Sequence, residues 1–110
     1  MTVEELNEKA MEMIVSAGAG RTALNIALDA MSEGNKEKYE EMMKEAHAKM
    51  KEAHAAQTAV LQETITDPNI YPNILFTHAQ DTLMTVMSEI NTAKHVAKLY
   101  TKILGLDDEK

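Results

Sequence analysis

The segment THAQDTLMT, residues 77–85, places a histidine and a carboxylate three residues apart, His78 and Asp81. On an α-helix, residues three apart lie on the same side. An imidazole in this position can act as a metal ligand, a general base or a nucleophile, and it can equally be a hydrogen-bonded histidine at a protein interface. Two ligands are too few for a closed zinc site.

Phosphoryl transfer is the reaction that requires the fewest additional groups at such a site. No serine or threonine in the sequence can be matched with a base and an oxyanion hole. A histidine that accepts a phosphoryl group needs only one ring nitrogen to attack the phosphorus, while a hydrogen-bond acceptor holds the other nitrogen and fixes the tautomer. The segment is therefore compatible with a phosphohistidine.

The other histidines favour simpler interpretations. His47 and His54 lie in the similar segments AHAKMKE and AHAAQTA, seven residues apart. On a helix this spacing is about 10 Å along one face, which is too long for one metal ion. We interpret both as residues that flank the core, and Gln57 as a polar residue that fixes helix register. His95 lies away from both predicted faces of its helix.

The composition predicts an all-α protein. The chain has 110 residues, which indicates a single domain over 1–110. Hydrophobic residues make up 45%, with nine methionines, one phenylalanine and no tryptophan. Because β-branched and aromatic residues are scarce, the core suits helices better than a sheet. The net charge of −7 argues against nucleic acid and against an anionic membrane as partner.

Location and covalent chemistry are limited by what the sequence lacks. No apolar run approaches the roughly 20 residues that span a bilayer. Met1 leads directly into TVEELNEK, which does not resemble a secretory signal. We therefore expect a cytoplasmic protein without direct membrane insertion. The sequence has no cysteine, which excludes disulfides, thiolate metal sites and a cysteine nucleophile.

Two breaks divide the chain into three predicted helices, roughly 3–33, 36–66 and 71–105. In SEGNKEK, Gly34 can end the first helix and Asn35 can cap the second. In TDPNIYPN, two prolines interrupt the pattern, and Pro72 suits the first turn of the third helix.

Hydrophobic residues repeat at spacings of three and four from Val3 to Met31, from Tyr39 to Val60 and from Phe76 to Leu104. This repeat predicts long helices packed at shallow angles, and the short connections predict an antiparallel up-down-up three-helix bundle. Gly18 and Gly20 inside the first helix cost about 1 kcal/mol each relative to alanine, which indicates a close helix approach or a bend.

The third helix carries a second stripe about 110° from its core seam. Leu75 and Asp81 flank the stripe, which consists of Ile74, His78, Thr82, Thr85 and Glu89. It is too apolar for a simple solvent face and too polar for the centre of a monomer. We therefore predict that it faces another subunit, which would add the buried surface that three bare helices lack.

Three segments together resemble a known family. AGAGRTAL, EAHAAQTAVLQE and THAQDTLMT, in this order between about Glu5 and Tyr100, resemble the IIA component of the lactose/cellobiose (N,N'-diacetylchitobiose) class of the bacterial phosphoenolpyruvate-dependent sugar phosphotransferase system. The resemblance implies a homotrimer, a nine-helix bundle, in which a histidine accepts phosphate from the phosphocarrier protein HPr. The phosphate then passes to a cysteine of the IIB component, which phosphorylates a disaccharide such as lactose or cellobiose as the membrane component IIC imports it.

The resemblance also implies roles for individual residues. His78 matches the phosphoryl acceptor, and Gln80 matches a glutamine that supports the ring or the phosphoryl group. Asp81 matches an aspartate whose three copies hold a divalent cation such as Mg²⁺ on the trimer axis, and three carboxylates with waters suit that ion. The family usually has a second histidine where this chain has Thr82. A threonine hydroxyl can donate to a phosphoryl oxygen, but it cannot shuttle a proton near neutral pH.

Two alternatives stay open from the sequence. In one, the chain is a non-catalytic trimeric scaffold or adaptor whose histidine stripe is only a subunit seam. In the other, it is a regulatory relative that accepts phosphate without serving sugar transport. The transported sugar cannot be read from this sequence, because sugar binding belongs to the membrane component.

Overall fold

The protein is a rod of three long helices. In the computed structural model, which describes residues 1–105, these are α1 (Val3–Ser32), α2 (Lys36–Thr66) and α3 (Ile74–Ile103). The Cα trace extends over 56 × 19 × 19 Å, and no strand occurs among residues 1–105. The predicted all-α three-helix architecture is confirmed. The last five residues of the predicted domain, 106–110, lie outside the described residues.

The first two helices begin and end where the sequence places their caps. Thr2 and Glu5 form a capping box at the start of α1, with each side chain accepting from the other's backbone N–H. Gly34 has a φ of +83°, which lies in the left-handed region that favours glycine just after the end of a helix. Asn35 then caps α2 by accepting from the backbone N–H of Lys38 at 3.0 Å. The predicted roles of Gly34 and Asn35 are confirmed.

The predicted bounds of the third helix are wrong at both ends. α3 begins at Ile74 rather than residue 71 and ends at Ile103 rather than residue 105. The side chain of Asn73 accepts from the backbone N–H of Phe76 at 2.8 Å and so caps the helix. Pro72 therefore lies just before the cap instead of inside the first turn.

α1 and α2 run antiparallel along their whole length. The N-terminal ammonium of Met1 pairs with Glu63 at 3.0 Å, near the end of α2. Farther along α1, the hydroxyl of Ser16 donates to Glu52 at 3.4 Å. The sum of the two residue numbers stays nearly constant from one contact to the next, as it must for an antiparallel hairpin.

α3 returns parallel to α1. Asn73 donates its side-chain amide to Asn7 at 2.8 Å, and Arg21 pairs with Glu89 farther along. The two contacts join residues separated by nearly the same number of positions, which fixes the parallel direction. α1 packs against both other helices, whereas α2 and α3 touch each other only sparsely.

The core follows the predicted heptad seam in all three helices. Among residues 1–105, no polar or charged side chain is buried. The prediction is wrong at two ends of the rod, where Val3 and Leu104 are 64% and 53% exposed because no third helix covers them there. The largest fully buried side chains are those of Phe76, Met13, Leu83, Val60 and Val86.

The two helical glycines of α1 have different surroundings. A Cβ atom at Gly20 would lie 3.0 Å from Met50 Sδ and 3.4 Å from the carbonyl oxygen of Ala46. A Cβ atom at Gly18 would have no neighbour within 4 Å. The predicted close helix approach is therefore confirmed at Gly20, where α1 and α2 meet.

No helix within residues 1–105 combines the length and the apolar character needed to cross a membrane.

Candidate functional site

His78 lies exposed in the second turn of α3. The start of this helix is held in place by Asn73, which caps it and also bonds Asn7 of α1. No acidic residue occurs in the first turn of α3. Because the N-terminal end of a helix carries partial positive charge, this position favours an anionic group next to His78.

α3 keeps a strict seven-residue repeat. Its buried seam consists of Phe76, Leu83, Ile90 and Ala97 at one position of the repeat and of Ala79, Val86 and Ala93 at the other. Opposite the seam, every residue is exposed. We call this surface the outer face of α3; it consists of Ile74, Thr77, His78, Asp81, Met84, Thr85, Ser88, Asn91, Thr92, His95, Lys98, Leu99 and Lys102.

The outer face carries few formal charges. Asp81 is its only carboxylate, and its two lysines, Lys98 and Lys102, lie near its C-terminal end. Large apolar side chains stand on it in contact with solvent, among them Ile74 at 89% and Leu99 at 61% exposure. A strip of this length with few formal charges and several exposed large apolar side chains is typical of a surface that another protein covers.

Thr82 is half-buried on the flank of α3 that faces α1, and its hydroxyl is already engaged. Thr82 Oγ1 donates to the backbone carbonyl of His78 at 2.9 Å. A hydroxyl has a single proton to donate. In this rotamer Thr82 therefore has no proton left for a phosphoryl oxygen on His78, in contrast to the role expected from the sequence.

Gln80 lies on a different side of α3 from His78. Residues two positions apart on a helix point in directions that differ by about 200° around the axis, so Gln80 and His78 do not face each other. One heptad after Gln80, Met87 contacts His54 of α2, with Nε2 and Sδ at 2.9 Å. Gln80 is thus half-buried toward α2, on a side of α3 from which it does not face the His78 ring of its own chain.

Asp81 is exposed on the outer face, one turn after His78. Its carboxylate oxygens are ligands that Mg²⁺ accepts. Within one protomer, the described residues contain no group of three or more His, Cys, Asp or Glu side chains that could hold a metal ion. The chemistry of Asp81 fits the ion, but a complete site requires carboxylates from further copies.

Glu89, at the far end of the predicted stripe, is held by α1. The guanidinium of Arg21 donates twice to its carboxylate, from Nε to Oε1 at 2.9 Å and from Nη2 to Oε2 at 3.2 Å. Arg21 is the only arginine of the chain. This bidentate pair holds the Glu89 side chain against α1. Glu89 is therefore a paired charge at the edge of the stripe that borders α1.

His47 and His54 lie along the cleft between α2 and α3. His47 borders a cavity of about 170 Å³ together with Met50, Met87 and Lys94. Burial, and then the positive charge of Lys94, lower the pKa of His47 below its usual range. Both histidines flank the core from α2, which agrees with their interpretation from the sequence.

His95 lies exposed on the outer face, fourteen residues after Asp81 and therefore at the same position of the heptad. It lies away from the buried seam, as the sequence analysis placed it. A strict seven-residue repeat keeps residues fourteen apart on one line, whereas counting along a straight helix drifts by about 20° in each heptad.

Solved structures with the same three-helix fold connect the chain with bacterial sugar phosphotransferase systems. The structure is similar to the crystal structure of PtcA from S. mutans, with a TM-score of 0.86 and 39% identity over 92% of this chain and 99% of that one. It is also similar to the cellobiose-specific enzyme IIA of Bacillus anthracis, with a TM-score of 0.85 and 27% identity over 96% and 94% of the two chains.

Sequence comparison defines the family more narrowly. Residues 8–101 match the family model described as PTS system, Lactose/Cellobiose specific IIA subunit. The lactose-specific EIIA component of Lacticaseibacillus casei is 30% identical over 99% of this chain and 97% of its own length. The N,N'-diacetylchitobiose-specific EIIA component of Escherichia coli is 28% identical over 91% and 86%. The chain belongs to the lactose/cellobiose-specific IIA family.

Proposed function

We propose that this protein is a cytoplasmic phosphocarrier that takes a phosphoryl group from HPr onto His78 and passes it to a IIB component, for uptake of a disaccharide such as lactose or cellobiose. The observation that carries the proposal is the exposure of His78 in the second turn of α3, within the family match. An acceptor histidine must be reached by two partners in turn, and an exposed helical position allows both.

The transfer from HPr to His78 and the transfer from His78 to the IIB component are both displacements at phosphorus. The lone pair of one His78 ring nitrogen attacks the phosphorus of phosphorylated HPr. A new N–P bond forms while the donor's N–P bond breaks and its electron pair returns to the donor imidazole. A thiolate of the IIB component then attacks the same phosphorus, and the N–P bond to His78 breaks. Such transfers depend mainly on positioning and electrostatics, and the positive end of α3 favours the phosphoryl charge.

A homotrimer formed along the line of the outer face that contains Asp81 completes the proposed site, with His78 at the edge of the interface, where partners still reach it. The partly apolar character of this face supports burial against identical copies, because like charges meet only at Asp81 toward one end and at Lys98 and Lys102 toward the other. A divalent cation such as Mg²⁺, held by three Asp81 carboxylates, would relieve the repulsion among them. Gln80 would then support a His78 ring of a neighbouring copy, since it does not face the ring of its own chain.

The decisive experiment is phosphorylation by phosphoenolpyruvate, enzyme I and HPr, followed by peptide mapping of any acid-labile phosphate. We expect one phosphate on His78, and none in His78→Ala. His54→Ala serves as the matched control, because it removes an exposed helical histidine outside the site and should retain the phosphate. If the parent chain takes no phosphate from partners that phosphorylate a control IIA protein, the proposal is wrong and a scaffold role becomes the better explanation.

A second step separates transport from regulation. Phosphorylated protein is mixed with the purified IIB component encoded beside it, and loss of phosphate from His78 is followed with time. Transfer to the IIB cysteine supports the transport role. Phosphorylation without transfer to any IIB component indicates the regulatory alternative.

A further inference from the structure

Five exposed residues of α3, each seven positions from the next, share one position of the heptad. They are Ile74, Asp81, Ser88, His95 and Lys102. This position lies directly opposite the buried seam of α3. The line therefore points away from the core of its own protomer along its whole length.

Because the buried seam repeats every seven residues, the residues of this line keep a constant orientation relative to the bundle. A hydrophobic repeat of seven residues gives helices a left-handed supercoil in which residues seven apart hold the same orientation toward a partner. The α3 seam repeats from Phe76 to Ala97 without interruption. Whatever surface Asp81 faces in an assembly, His95 faces the same surface about 21 Å farther along the helix.

We propose that the trimer brings three His95 imidazoles together on its axis and forms a second metal site, for a transition metal such as Zn²⁺. This inference rests on the proposed trimer. Three imidazole nitrogens at about 2.0–2.1 Å, with water as the fourth ligand, form an ordinary zinc coordination set. Within the described part of one protomer, no group of three ligands occurs, so the site exists only in the assembly.

The two ends of the axis would select different ions. Carboxylate oxygens at Asp81 suit hard cations such as Mg²⁺, whereas imidazoles at His95 suit zinc, copper and nickel. Thr92 lies one turn before His95 on the outer face, where its oxygen can accept the second ring N–H and orient the ligand. Lys98 lies one turn after it and places like charge near the ion, so that Lys98→Ala should strengthen binding.

The test uses the whole chain, without a polyhistidine tag and stripped of metal. Sedimentation establishes the oligomeric state, and equilibrium dialysis against Zn²⁺ gives the stoichiometry. We expect one tightly bound zinc ion for every three chains in the parent, loss of this ion in His95→Gln, and its retention in His54→Gln. Co²⁺ in place of Zn²⁺ should give the visible absorption of a four-coordinate site in the parent and in His54→Gln, but not in His95→Gln.

The outcomes separate this inference from the proposed function. A trimer that accepts phosphate on His78 but binds no zinc, or binds it equally in His95→Gln, overturns the metal site and leaves the phosphocarrier role intact. A chain that sediments as a monomer at all concentrations overturns both the trimer and the metal site. Phosphorylation of His78 is measured separately and does not depend on zinc.

Discussion

The hydroxyl of Thr82 and the backbone carbonyl of His78 are joined by a hydrogen bond of 2.9 Å across one turn of α3. Threonine often bonds the carbonyl four residues earlier in a helix, and the bond uses its only proton. Thr82 therefore turns its side chain back onto its own helix.

This bond predicts that Thr82→Val leaves phosphoryl transfer to His78 almost unchanged, within about two-fold, because the lost hydroxyl does not point to the phosphoryl group. The rate is measured by phosphorylating the protein with HPr and quenching samples at set times. A loss of tenfold or more, equivalent to about 1.4 kcal/mol in the barrier, would show that the hydroxyl rotates to donate during transfer.

The cap of α3 predicts a local effect on the site. Asn73→Ala removes the bond to Phe76 and the contact with Asn7, and should lower the free energy of unfolding by about 1 kcal/mol. Hydrogen exchange should increase in the first turn of α3, and the rate of phosphorylation should fall. Asn35→Ala is the matched control, since it removes the cap of α2 at similar cost without affecting His78. Equal effects of both variants on phosphorylation would contradict this prediction.

The two glycines of α1 form a natural pair for a stability test. Gly18→Ala should raise the free energy of unfolding by about 0.8–1.0 kcal/mol, because alanine favours the helix and nothing lies within 4 Å. Gly20→Ala should lose most or all of that gain, because its methyl group meets Met50 Sδ and the Ala46 carbonyl. Urea unfolding of the two variants measures the difference, and an equal gain at both positions would mean that the helices separate easily at Gly20.

The pKa of His47 predicts a pH dependence. Because burial and Lys94 lower this pKa in the folded state, the unfolded chain binds the proton more readily. The contribution to stability is complete above about pH 6.5, the ordinary histidine value, and is lost as the pH falls from there through the lower folded-state pKa. Lys94→Gln should raise the pKa of His47 in an NMR titration, and His47→Gln should flatten unfolding free energy against pH in this window. A pKa that does not respond to Lys94→Gln would leave burial as the whole cause.

Much of the fold could be predicted because the seam is continuous. The bounds of α2 were predicted correctly, and those of α1 within one residue, since Gly34 and Asn35 are strong local signals. The start of α3 was missed because Pro72 and Asn73 both suit a helix start, and only the bond from Phe76 to Asn73 decides between them.

The site was less predictable than the helices. The sequence indicated the exposed faces of His78 and Asp81 through their spacing. It could not show that the Thr82 hydroxyl is engaged with the His78 carbonyl, because a hydroxyl rotor depends on the local backbone. The alignment of His95 with Asp81 depends on supercoiling, which a straight-helix count leaves out.

The sparse contact between α2 and α3 affects the order in which the rod comes apart. α1 and α2 form a closely packed hairpin, whereas α3 is attached mainly along one side of α1. In an isolated protomer, the helix that carries His78 is thus the element that opens at the lowest free energy, as a separate cooperative unit. If protomers associate through α3 as proposed, the association stabilises this helix. Dilution should then unfold α3, which carries His78, before the hairpin of α1 and α2 unfolds.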